Sequence, residues 1–158
     1  MEAASRTLGR GELAPENVAT EDGQLHLTLP ANTVDNAETE PKDFHGPGFY
    51  TTRIKVSDAS SSNTDFFLYE PPDLKSEIDA EIYNAPPRRC CSLPTEAADK
   101  PIPRPRFVPY RRLPQLCFFY DQNSVTFCVD GESTKEYEDG LPDKHISSMS
   151  VHFLLGTF

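Results

Sequence analysis

The stretch Ser76-Glu77-Ile78-Asp79-Ala80-Glu81-Ile82-Tyr83 alternates without a break. In an extended chain Glu77, Asp79, Glu81 and Tyr83 fall on one face, and Ile78, Ala80 and Ile82 on the other. The apolar face requires a core. The opposite face sets three carboxyl groups in a row, and like charges along one strand face repel. That pattern reads as a half-buried strand that carries a site. A merely solvated acidic face is the plainer alternative.

Just upstream, Asp65-Phe66-Phe67-Leu68-Tyr69 is apolar on both faces, as in the middle of a sandwich. Glu70 to Lys75, with Pro71-Pro72, turns the chain, so the acidic strand returns antiparallel in a central hairpin of its sheet. A site needing fixed geometry belongs there. Further upstream, Phe49 to Val56 alternates Tyr50, Thr52, Ile54 and Val56 with Phe49, Thr51, Arg53 and Lys55. Ser57 to Thr64 reads as a polar hairpin loop. Residues 30–48 read as a long polar loop with room for a short strand. Gly23 to Leu29 is the first strand, after a turn at Glu21-Asp22-Gly23. Residues 1–15 read as a loose terminus.

Downstream, residues 85–116 hold eight of the fifteen prolines and six arginines. Proline cannot donate to a ladder, so this is no run of central strands. Pro101-Ile102-Pro103-Arg104-Pro105 favours polyproline II. An irregular insert, a ligand for a proline-binding module and an unspliced intron all stay open. Leu116 to Tyr120 is a strand, Asp121-Gln122-Asn123 a turn, and Ser124 to Glu132 a strand running into an Asp-Gly turn. Residues 133–143 read as acidic and turn-rich, and His145 to Leu155 as the last strand, whose edge should need cover. Six or seven strands without a helix make one all-β sandwich domain over 1–158.

A net charge of −10 argues against a nucleic-acid partner and against an anionic membrane surface. Neutral glycans remain compatible. No apolar run reaches the length of a membrane span, and Met1 to Gly11 lacks the apolar core of a signal peptide. Cys90, Cys91, Cys117 and Cys128 show no CxxC spacing, so a zinc site is not expected. The cysteines are either free thiols or joined by a disulfide from Cys90 or Cys91 to Cys117 or Cys128.

Two carboxyl groups flanking a scissile bond are the equipment of glycoside hydrolysis, about 5–5.5 Å apart for retention and about 6.5–9.5 Å for inversion. Cα atoms four residues apart on a strand lie roughly 13 Å apart, and the two Glu side chains can lean together across part of that span. Asp79 between them raises the proton affinity of a neighbour, so one Glu can be held neutral as an acid. Calcium is disfavoured, because its cage of oxygens comes from a loop. No metal or cofactor is implied.

Ser76 to Ile82, SEIDAEI, resembles the catalytic strand of glycoside hydrolase family 16, whose pattern is Glu-x-Asp-x-Glu, in the form without a bulge residue. PENVATEDGQLHLTL, GPGFYTTRIKVSDASSSNTDFFLYEPPD, YDQNSVTFCVDGE and HISSMSVHFLLGT are similar to flanking segments of that family, in order, over about two thirds of the chain. The resemblance implies a concanavalin-like β-jelly roll with a glycan cleft. It implies retaining hydrolysis or transglycosylation of β-glucans by a monomeric extracellular or cell-wall enzyme of the lichenase or xyloglucan-acting type. By motif, Glu77 would be the nucleophile, Asp79 the assisting acid and Glu81 the general acid/base. The family stacks sugars on Trp, and this chain has none. Tyr83, Tyr69, Phe66 and Phe67 are the substitutes to consider, Tyr83 first, and Arg53 joins Tyr83 and Tyr69 as a candidate substrate contact. The Pro/Arg stretch stands where further strands are expected, as in an incomplete or mis-spliced member. A glycan-binding relative without turnover is the alternative.

Overall fold

The protein is described here by a computed structural model covering residues 2–3, 7–8, 11–43, 45–69, 77–84, 113–138 and 150–157, with side chains over 11–43, 45–68, 77–84 and 113–138. In chain order the strands are β1 (Glu2–Ala3), β2 (Thr7–Leu8), β3 (Gly11–Glu12), β4 (Val18–Glu21), β5 (Gln24–Leu27), β6 (Ala37–Glu40), β7 (Gly48–Arg53), β8 (Ser62–Tyr69), β9 (Glu77–Tyr83), β10 (Gln115–Tyr120), β11 (Val125–Val129), β12 (Glu132–Tyr137) and β13 (Ser150–Thr157). A 3₁₀ turn at Pro15–Asn17 is the one helical element among the described residues.

Two sheets face each other. One runs β1-β6-β13-β8-β9 and the other β12-β11-β10-β7, with two small ribbons, β2-β3 and β4-β5. The all-β jelly-roll expectation holds. Alternation explains the packing. Phe66 and Leu68 of β8, with Ile78, Ala80 and Ile82 of β9, meet Leu116, Phe118 and Tyr120 of β10 and Val125 and Phe127 of β11. Phe118 sits at the centre, its ring 5.1 Å from Phe66, 5.4 Å from Tyr50 and 5.9 Å from Phe127 between centroids. Each such side chain contributes about 1.5–3 kcal/mol when fully buried.

Several expectations are corrected. Ser57 to Thr64 is no hairpin loop: β7 and β8 belong to different sheets, and β8 begins at Ser62. Ser62, Asn63 and Thr64 are buried despite their polarity. The long loop over 30–48 contains β6, whose Ala37, Glu38 and Thr39 are buried. The start of the chain is not loose where it is described. Leu13 is buried and bridged to Asn36, and β1 pairs with β6. Gln115 and Leu116 already belong to β10, so the irregular stretch stops short of them; residues 85–112 lie outside the described residues.

The acidic stretch after Gly131 folds as β12. Asp130 and Gly131, at φ 52° and 82°, make the two-residue turn that returns it onto β11. The last strand needs no cover, because β13 is inserted between β6 and β8 and paired on both edges. Cys117 and Cys128 are cross-strand partners on β10 and β11, with Cα atoms 5.0 Å apart, and form a disulfide with each other. A short hairpin brings together two cysteines that spacing alone does not pair. Cys90 and Cys91 lie outside the described residues.

Candidate active site

β9 follows the sequence pattern residue by residue: Ile78, Ala80 and Ile82 are buried in the core, and Glu77, Asp79, Glu81 and Tyr83 lie on the outer face. Its antiparallel partner is β8, in the register Tyr69 to Glu77, Phe67 to Asp79, Asp65 to Glu81 and Asn63 to Tyr83. Directly paired residues share a sheet face. The carboxyl face of β9 therefore continues onto Phe67, Asp65 and Asn63. Contrary to the central placement read from sequence, β9 is the outermost strand of its sheet among the described residues.

Glu81 is gripped by two neighbours. Asn63 donates its amide to Oε1 at 3.2 Å, and the Tyr83 hydroxyl donates to Oε1 and Oε2, at 3.0 Å each. Burial, followed by the negative charge and hydrogen bond of Glu81, raises the Tyr83 phenol well above its ordinary range. Tyr83 therefore stays a neutral donor at any physiological pH. Asp79 has its proton affinity raised well above the usual carboxyl range. Burial is the largest cause, then the charges of Glu77, Glu81 and Asp65, then a hydrogen bond with Glu77. A protonated Asp79 can donate to Glu77 and hold it as an anion.

The expected site residues are distributed as follows. Glu77, Asp79, Glu81 and Tyr83 stand together. Tyr69 pairs with Glu77 in register, and its side chain lies outside the described residues. Phe66 belongs to the core, while Phe67 lies on the carboxyl face but is buried. Arg53 is not brought to the site. It ends β7 in the other sheet, paired with Gln115, and alternation that turns Tyr50 and Ile54 inward turns Arg53 outward.

Sequence reading missed Asn63, Asp65 and Glu38. Asp65 is buried directly across from Glu81, and Glu38 is buried on β6, across β13 from it through Leu154. The signal was available for two of them: Asn63, Asp65 and Phe67 alternate with Thr64, Phe66 and Leu68, so the strand pattern extends into the supposed loop.

No family model matches the chain, and no curated protein sequence matches it. Solved structures do. The chain is similar to a Bacillus licheniformis β-glucanase, with TM-score 0.78 and 17% identity over 98% of this chain and 78% of that one. A prokaryotic β-1,3-1,4-glucanase (lichenase) from a mouse hindgut metagenome gives 0.68 at 18% identity, over 99% and 79%. The kappa-carrageenase of Pseudoalteromonas carrageenovora gives 0.66 at 15% identity, over 98% and 75%. These likenesses establish the fold: a β-jelly roll shared by polysaccharide-cleaving hydrolases.

Proposed function

We propose that the chain is a retaining glycoside hydrolase or transglycosylase acting on β-glucan-type polysaccharides. The observation that carries this reading is the outer face of β9, where Glu77, Asp79 and Glu81 stand in one row on a jelly-roll sheet with Asp79 hydrogen-bonded to Glu77. The Glu77 carboxylate attacks the anomeric carbon. Glu81 gives its proton to the glycosidic oxygen, and the leaving sugar departs. Glu81 then takes a proton from water, or from a sugar hydroxyl in transfer, as the acceptor displaces Glu77. Asp79 holds a proton throughout and limits the repulsion among the three groups.

The structural neighbours that cleave β-glucans and carrageenan support the glycan as substrate class. The Cys117–Cys128 disulfide supports an oxidising, extracellular or cell-wall location. One observation favours a second reading, a glycan-binding relative without turnover: the chain has no Trp to stack a sugar ring.

Incubation with mixed-linkage and β-1,3-glucans, side by side with Glu77→Gln, separates the two. Reducing ends released by the native chain and abolished by Glu77→Gln are expected. Equal release by both proteins rules out the assignment of Glu77, and binding without cleavage favours the second reading.

A further inference from the structure

Asp65 is a carboxyl that the three-residue mechanism does not use. It lies on the outer face of β8, directly across from Glu81, with Asp79 and Tyr83 as its diagonal neighbours on β9. On its own strand Asn63 and Phe67 flank it on the same face. On β13 the register places Leu154 across from it, with His152 and Gly156 two pairs to either side. Glu38 of β6 is the next carboxyl along the row. Asp65 is 5% exposed, and its Oδ1 is buried with no hydrogen-bond partner among the described residues. An ionised carboxylate in that position would leave Oδ1 out of water with no donor among the described residues, which is unfavourable.

We infer that Asp65 is a fourth carboxyl of the site, an uncharged positioning residue that backs Glu81. The inference rests on the glycosidase reading above. Its physical basis is the change in Glu81 during turnover. Glu81 becomes an anion once its proton has gone to the leaving oxygen. A neutral Asp65 can turn its O–H toward that anion, whereas an ionised Asp65 repels it across the strand pair. The proton of Asp65 stays on Asp65. The electrostatics agree: burial raises its proton affinity most, and the charges acting on it, of Glu81, Glu77 and Glu38 in that order, are all negative.

The test uses the full chain with Asp65→Ala and Asp65→Asn, assayed on a soluble mixed-linkage β-glucan across pH, together with carbon NMR of the native Asp65 carboxyl. Asp65→Ala is expected to lower kcat about tenfold with KM nearly unchanged, and Asp65→Asn, the neutral isostere, to recover most of that loss. Across the working pH range Asp65→Asn should follow the native profile, because both side chains are uncharged there. A kcat for Asp65→Asn no better than that of Asp65→Ala, or a native Asp65 signal that titrates in the usual carboxyl range, overturns the inference. A native chain inert on every glucan, with Asp65 still protonated by NMR, overturns the glycosidase reading and the positioning role with it, while leaving the neutral carboxyl standing.

Discussion

Tyr83 donates its hydroxyl to both carboxyl oxygens of Glu81, at 3.0 Å each. The two residues are two apart on β9, so the strand pleat alone sets them side by side. Sequence reasoning treats Tyr83 as a platform for a sugar ring. The structure gives its polar end a second task, fixing the orientation of the residue assigned as general acid/base. Tyr83→Phe keeps the ring and removes the donor. It should leave KM nearly unchanged and lower kcat by roughly fivefold, the effect of about 1 kcal/mol of hydrogen bonding. Steady-state kinetics on a β-glucan checks this; a rise in KM with kcat preserved would instead make the phenol a substrate contact.

Glu81→Gln should lower kcat by about 10²–10⁴-fold on substrates with poor leaving groups. A sugar carrying an activated leaving group needs no proton, so the loss of its first step should be much smaller. A burst of released aglycone followed by a slow phase is the expected trace, and an equal loss on both kinds of substrate counts against the role of Glu81.

Asp79 couples function to stability. Its raised proton affinity means that the folded state keeps a proton the unfolded chain gives up at about pH 3.9. Above that pH the unfolded state binds fewer protons, so this group subtracts from stability as pH rises, until the folded carboxyl has itself titrated. Asp79→Asn should therefore melt higher than the native chain at neutral pH and lose that advantage toward pH 3–4, while its kcat falls about tenfold or more. Thermal melts at several pH values, paired with assays, read both effects.

Phe118 is fully buried between the sheets and meets Tyr50, Phe66 and Phe127. Phe118→Ala should destabilise by about 3–5 kcal/mol, and Phe118→Leu, which refills most of the space, by less. Urea unfolding of the two variants gives the difference directly.

The Cys117–Cys128 disulfide closes a loop with a sequence separation of 11. Reduction, or replacement of both residues by Ser, should lower stability by about 2–3 kcal/mol in the loop-entropy view. Activity at low temperature should persist, because β10 and β11 form the sheet opposite the carboxyl face. Melting curves with and without reductant decide this, and an unchanged midpoint would argue that the bond does not form.

Period-two alternation was legible wherever one face of a strand is apolar. It placed β9 to within a residue, named its three carboxyls and put the chain among β-sandwiches. It failed where polar residues are buried. Ser62, Asn63 and Thr64 read as loop because their environment is made by strands distant in sequence, and the same holds for Ala37 to Thr39 on β6. Arg53 looked available to a sugar because alternation says which residues share a face but not which sheet that face belongs to.

The sequence by itself determined the local pattern: short strands, Asp-Gly turns at positive φ, and an acidic strand with an apolar back, all consequences of side-chain chemistry over a few residues. Only the tertiary structure decided that β13 lies between β6 and β8, that Cys117 meets Cys128, and that Asp65 and Asn63 stand beside Glu81. Those pairings depend on strand order and register, fixed by the collective burial of both sheets against one core, and no short window of sequence contains that information.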